Sequence, residues 1–207
     1  MKQFIFTIGK IVSLFIPLNI SNHWKAAKVY FTTGYKSRYF KYFGEKSIIG
    51  LRTSFCGEKF ISIGKDVVLN EGVRIHANYK HEYSTQDFEP EIRIGNNCNI
   101  GHQSHITAIN KVVIGNNVLT GPSVLITDNA HGESKKEVLH IPPHYRALSS
   151  KGPVVIEDNV WIGEGAMIMP NVHIGYGAII ASNSVVTTDV PAYSVVAGIP
   201  AKVLKQM

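Results

Sequence analysis

One feature limits what this chain can fold into: a hydrophobic beat of six. Aliphatic residues recur at Ile156, Ile162, Ile168, Ile174, Ile180 and Val186 without a slip. The same spacing holds at Ile63, Leu69 and Ile75, at Ile94, Ile100 and Ile106, and at Ile114, Thr120 and Ile126. A period of six suits neither an amphipathic helix nor simple strand alternation. It suits stacked hexapeptides, each forming one side of a coil.

Two further columns follow the beat. Four positions after each aliphatic stands a small or β-branched residue, as at Val67, Cys98, Val118, Val160, Ala166 and Ser184. These also face inward, so Cys98 reads as core filler rather than nucleophile. Three positions after the aliphatic come Asp66, Gly72, Asn78, Asn97, Asn117, Asn159, Gly165, Asn171, Gly177, Asn183 and Asp189. Gly, Asn and Asp tolerate positive φ, the conformation that lets an extended chain turn a corner. Gln103, Ile109 and Ser123 break that column. Three corners close a triangular coil of about eighteen residues, with coils stacked about 4.8 Å apart. The expected fold is all-β: a left-handed parallel β-helix, an exception to the right-handed crossover rule.

Breaks in the beat set the organisation. Residues 1–60 form an N-terminal extension, expected to be helical, and 61–190 the β-helix. Loops interrupt it at 77–91 and 127–155, with a smaller slip near Ala108–Val113. Residues 191–207 form a C-terminal cap. Long loops on a rigid scaffold are where binding and catalytic groups are expected.

The chain's 207 residues, 44% of them apolar and 17% charged, exclude disorder. Two cysteines, Cys56 and Cys98, exclude a disulfide scaffold and a four-cysteine zinc module, and suggest a reducing compartment. A net charge of +6 gives a mild attraction for anions. The apolar run from Phe4 to Ile20 is interrupted by Lys10 and Pro17 and has no small-x-small cleavage site after it. It is expected to cap the fold, placing the protein in the cytoplasm. The basic and aromatic residues between Trp24 and Lys46 suit a lipid headgroup layer, so peripheral contact at the inner face of the membrane is open. Nothing else supports nucleic-acid binding.

With these motifs in view, the chain resembles the hexapeptide-repeat acyltransferases, most of all the O-acetyltransferases of lipopolysaccharide and capsule synthesis. Galactoside, maltose and streptogramin acetyltransferases are more distant likenesses. The resemblance rests on Asn117-Val118-Leu119, Asp128-Asn129-Ala130-His131-Gly132, Ile141-Pro142-Pro143, Asp158-Asn159-Val160-Trp161-Ile162-Gly163 and Ala197-Gly198-Ile199-Pro200-Ala201-Lys202. It implies acetyl-CoA as co-substrate, a sugar or polysaccharide acceptor, a homotrimer, and active sites between subunits. It requires no metal.

Acetyl transfer to a hydroxyl needs a base, and histidine, with an ordinary pKa near 6.5, suits the task. His131 matches the family's catalytic histidine, and Asn129 stands where relatives more often carry another histidine. Asp128 or Glu133 could orient its imidazole. For CoA, the resemblance implies Trp161, Glu164, Ser182, Thr187, Thr188, Lys202 and Lys205, with Thr188 replacing a common lysine. Acceptor contacts fall to His102, His105 and Asn129, although Gly101 and Ile109 stand where sugar acetyltransferases carry polar side chains. Two alternatives stay open: an N-acetyltransferase of an amino sugar, and a zinc hydratase like the γ-class carbonic anhydrases. The latter would use His76, His102 and His105, which are spaced unlike that family's ligands.

Overall fold

A computed structural model describes residues 18–85, 87–133 and 135–207, with only the backbone at 18–22, together with residues 3, 5–7 and 10. Most of the apolar run from Phe4 lies outside the described residues, and its expected capping role with it. The helix α1 (Leu18–Ser37) leads into six three-sided coils.

Coil 1 comprises β1 (Tyr42–Phe43), β2 (Ile48–Ile49) and β3 (Ser54–Cys56). Coil 2 comprises β4 (Ile61–Ile63), β5 (Val68–Leu69) and β6 (Arg74–Ala77); coil 3, β7 (Glu91–Ile94), β8 (Asn99–Ile100) and β9 (His105–Ala108). Coil 4 comprises β10 (Lys111–Ile114), β11 (Leu119–Thr120) and β12 (Leu125–Thr127). After a long loop holding β13 (Asn129–His131) and β14 (Leu148–Ser150), coil 5 comprises β15 (Val154–Ile156), β16 (Trp161–Ile162) and β17 (Met167–Ile168). Coil 6 comprises β18 (His173–Ile174), β19 (Ile179–Ile180) and β20 (Val185–Val186). The first strands of all coils form one parallel face, the second strands a second, and the third strands a third. This is the left-handed parallel β-helix that the period requires.

The register stacks like on like. Ile75, Ile106, Ile126, Ile168 and Val186 lie over one another on the third face, all 1% exposed or less. Where the small-residue column is polar, the hydroxyl replaces a backbone partner in the next coil. Ser47 Oγ donates to Gly64 O at 2.7 Å and accepts from Val67 N–H at 2.9 Å. Cys98 is filler, as expected: its thiol donates to Gly115 O at 3.1 Å, and burial pushes its pKa up to about 11.

The corner column holds with two corrections. Asp66, Gly72, Asn97, Asn117, Asn159, Gly165, Asn171, Gly177 and Asn183 all take positive φ, whereas Asn78 and Asp189 do not. Asn78 opens a loop, its amide donating to Thr107 Oγ1 at 3.0 Å. Asp189 instead accepts from His173 N–H at 2.8 Å. Gln103 and Ser123, which break the residue pattern, keep the conformation, at φ 58° and 57°.

The β-helix begins one coil before the 61–190 span read from the sequence. Strands β1–β3 pair in parallel with β4–β6, so only the residues up to about Lys41 stand outside it. Phe40, Phe43 and Phe55 plug the open end, with ring centroids 5.0–5.4 Å apart. Helix α1 lies against this coil. Thr33 Oγ1 accepts from Ile49 N–H at 2.9 Å, supplying the pairing a missing strand would have given. At the other end, β21 (Ser194–Gly198) and β22 (Ala201–Gln206) form an antiparallel hairpin that extends the second face.

Candidate active site

The corner at which the third face returns to the first is treated differently in successive coils. Coil 2 leaves it as a loop, residues 78–90. Coil 3 turns tightly at Ile109 and Asn110. Coil 4 leaves it as the loop 128–153, which carries His131. The two long loops start at one corner, two coils apart, and they meet. His131 and His81 lie ring to ring at 5.7 Å, His81 and Tyr83 at 5.8 Å, and Tyr83 packs against Tyr145 at 5.2 Å and His144 at 5.5 Å. The first loop's share in this cluster was not legible, because aromatic and His residues in a polar loop carry no periodic signal.

His131 is exposed, on a strand paired antiparallel with Leu148–Ser150. Gly132, at φ 77°, then turns the chain; a Cβ there would stand 2.9 Å from Arg146 Cδ. Arg146 braces the loop through Nε to Ile141 O at 2.8 Å and Nη2 to Leu139 O at 3.3 Å.

The loop's base rests on Asp128, which is fully buried. One carboxylate oxygen accepts from Ile109 N–H at 3.0 Å, the other from Asn110 and Lys111 N–H at 2.8 and 2.6 Å. Asp128 therefore caps the tight corner of coil 3, and its hydrogen bonds leave it no orienting role toward His131. Glu133 pairs with Lys135 instead. Asn129 is likewise tied into the base: its amide donates to Asp128 Oδ1 at 3.0 Å and Thr107 Oγ1 at 3.4 Å. Its amide thus braces the loop's base beside the acceptor role expected for it.

The remaining expected residues lie at two edges of the prism and on its second face. Thr187 and Thr188 sit at the corner that His131's loop leaves, two coils further on. Glu164 and Ser182 stack at the opposite edge of the third face, where it meets the second. Trp161 projects from the second face, half exposed, in an outward row with Leu119, Ile179 and Val195. Lys205, opposite Val195, and Lys202 are exposed on β22. Within one chain, the third face separates Thr187 and Thr188 from the other five.

A groove of about 590 Å³ runs along the second-to-third edge across coils 2 to 4, lined by Arg74, Gln103, His105 and Ser123 among others. His105 is half-buried, and burial, then the Arg74 charge and His76, push its pKa down to about 4. Its Nε2 is fully covered and has no hydrogen-bond partner. The His76 ring stands edge-on at 5.0 Å, its own pKa lowered by burial and by Arg74. His102 is separate, exposed beside the Arg52–Glu71 pair. Among the described residues no group of three or more His, Cys, Asp or Glu side chains is placed to hold a metal ion.

Comparison with known proteins matches residues 153–188 to the family described as bacterial transferase hexapeptide (six repeats). The chain is 38% identical over 119 residues to WbbJ of Escherichia coli, named as a candidate O-acetyl transferase of lipopolysaccharide biosynthesis. It is 39% identical over 121 residues to a candidate acetyltransferase of Saccharomyces cerevisiae. These matches cover 56% and 58% of this chain and only 60% and 59% of the relatives' length. Over 57 residues, 28% of this chain and 24% of the relative, it is 58% identical to the 2,3,4,5-tetrahydropyridine-2,6-dicarboxylate N-acetyltransferase of Staphylococcus aureus. Among solved structures, the fold is similar to AntD, an N-acyltransferase from Bacillus cereus crystallised with dTDP and 3-hydroxybutyryl-CoA. That likeness has a TM-score of 0.67 and 18% identity, covering 84% of this chain and 87% of AntD.

Proposed function

We propose that this chain, whose residues 153–188 match the bacterial hexapeptide-repeat transferases, moves an acetyl group from acetyl-CoA to a sugar hydroxyl during surface-polysaccharide synthesis. The likeness to WbbJ supports the acceptor class. One observation carries the site: His131 is exposed on a braced loop, at a corner where a second loop closes on it. In this reading the neutral imidazole takes the proton of the acceptor hydroxyl as its oxygen bonds to the thioester carbonyl carbon. The C–S bond then breaks, and the imidazolium returns the proton to the leaving thiolate. No covalent enzyme intermediate is needed when both substrates are held together. The separation of Thr187 and Thr188 from the other expected CoA residues by the third face supports sites shared between subunits of a trimer, each completing a neighbour's.

The S. aureus match and the AntD fold favour a second reading, transfer to an amino sugar with the same histidine as base. Thiol release from acetyl-CoA, measured with matched acceptors bearing a hydroxyl or an amine at the same carbon, separates the two. Faster release with the hydroxyl acceptor supports O-transfer, faster release with the amine favours the second reading, and release with neither contradicts both.

The proposed setting is the cytoplasmic face of a membrane. Residues 1–44 contain seven Lys or Arg and no Asp or Glu, while the other fourteen cations share the chain with all fifteen acids. Helix α1 exposes Trp24, Phe31 and Tyr35 beside Lys25 and Lys28. Such a face suits anionic headgroups. The full chain is expected to sediment with anionic vesicles and a Lys25→Glu/Lys28→Glu variant much less; equal sedimentation would contradict the contact.

A further inference from the structure

The loop at residues 78–90 faces two ways. Its crown, His81 and Tyr83, closes on the loop that carries His131, while its stem helps to line a separate cavity on the same edge of the prism. That cavity, of about 770 Å³, lies where coils 1 and 2 return from the third face to the first. The chemistry assigned to His131 leaves it unused. Phe60, Tyr79 and Phe88 give it aromatic surface, each ring only partly buried. The Phe60 and Tyr79 rings stand 5.5 Å apart, and the Lys59 ammonium lies over both, at 4.9 and 5.0 Å. Backbone hydrogen bonds fix the walls. Phe88 N–H donates to Tyr79 O at 2.8 Å and closes the stem; Phe60 N–H donates to Gly57 O at 2.9 Å, and Glu91 N–H to Asn110 O at 2.8 Å.

Charge decides the class of ligand. Among the described residues lining the cavity, Lys41, Lys59 and Lys80 are balanced by Asp87, Glu89 and Glu91, so no net field draws an anion or a cation. Lys80 pairs with Asp87 at 3.8 Å, and Glu91 with Lys111 at 2.8 Å. A phosphate or a uronate would meet the carboxylates. A purely apolar ligand would strip water from charged groups and return nothing to them. A neutral pyranose suits both parts of the lining, its C–H face lying on the rings and its hydroxyls meeting ammonium donors and carboxylate acceptors.

We infer that this cavity is a carbohydrate subsite, holding a neutral sugar unit of the acceptor a step or two along the glycan from the unit presented to His131. The link to His131 rests on the acetyl-transfer reading; the sugar site stands on the cavity alone. Tyr79 is two residues from His81, at most about 7 Å of extended chain, and the His131 ring lies 5.7 Å from that of His81. A glycan running along this edge reaches both places at once, which a monosaccharide does not. The acceptor is then an oligosaccharide or longer.

The test is an array of mono- to tetrasaccharide fragments of bacterial surface polysaccharides, neutral and uronate-containing, probed with the labelled full chain without acetyl-CoA. The best-bound fragment is then titrated by calorimetry. Wild type is expected to bind a neutral tetrasaccharide roughly tenfold more tightly than its parent monosaccharide. Tyr79→Ala should remove most of that advantage, and Tyr79→Phe, which keeps the ring, should retain it. Glu89→Gln, a change to an exposed side chain, should weaken binding severalfold, and Arg52→Ala, on another edge, should leave it unchanged. Equal affinity for tetrasaccharide and monosaccharide, undiminished binding in both Tyr79→Ala and Glu89→Gln, preference for uronate-containing fragments, or no glycan bound at millimolar concentration would overturn the inference. A chain that binds the tetrasaccharide through Tyr79 but releases no thiol from acetyl-CoA would fail the catalytic reading alone. One that acetylates monosaccharide and tetrasaccharide equally well would lose the subsite alone.

Discussion

Coils 5 and 6 and coils 2 to 4 are built from one repeat, and they differ in what they allow. In the later coils every corner between strands turns within the hexapeptide, and the left-handed positions are Asn159, Gly165, Asn171, Gly177 and Asn183, residues that take that conformation at low cost. The family match is confined to this stretch, residues 153–188. The middle coils carry both long loops, a buried carboxylate, Gln103 and Ser123 at left-handed corners, and a buried ring nitrogen without a partner. All of these departures lie on the third face or its two edges. Regular coils act as a ruler; irregular ones carry the groups that need placing.

The contrast is most sharply broken at Asp128. Asp128→Ala removes the acceptor for three backbone N–H groups at a fully buried corner and should lower stability by about 3–5 kcal/mol in denaturant unfolding. Asp128→Asn, which keeps one oxygen acceptor, should cost clearly less. Equal, small losses would show that the corner does not depend on the carboxylate. A smaller effect compares left-handed corners in the two regions. Asn183→Ala in the regular coils should cost about 1 kcal/mol, while Ser123→Asn in the middle coils should be neutral or stabilising. The same sign for both would remove the distinction between the regions.

The least effect concerns acid. The His105 pKa is lowered from 6.5 to about 4 by burial and the Arg74 charge. Between those values the unfolded chain binds the proton more readily, so the contribution is complete above about pH 6.5 and lost as pH falls toward 4. His105→Gln should flatten that decline in a pH series of unfolding midpoints, and an unchanged slope would assign the acid sensitivity elsewhere.

Wherever side-chain chemistry and backbone demand agreed, the fold was legible. Ile156 to Val186 announced the coils because aliphatic, small and Asn or Gly residues each filled their own column. Coil 1 went unseen although Phe43, Ile49 and Phe55 keep the beat, because Lys46 and Arg52 hold its positive-φ corners and Ser47 and Thr53 its inner column. Backbone closure forced that conformation on residues that do not advertise it. The site was half legible. His131 stood out through its resemblance, but the Asp128 cap joins segments 17 to 19 residues apart, and the His81–Tyr83 wall joins two loops still further apart in sequence. No local pattern encodes such meetings.

His131 is the proposed base at the loop-bearing corner. The direct measurement is thiol release from acetyl-CoA, with a sugar acceptor that the wild type turns over, for wild type and His131→Ala side by side. Turnover should fall by about two to four orders of magnitude, the range that general-base catalysis supplies. The unfolding midpoint and acetyl-CoA affinity should stay nearly unchanged, because the side chain is exposed and outside the coil core. Comparable turnover by the two proteins would contradict the account.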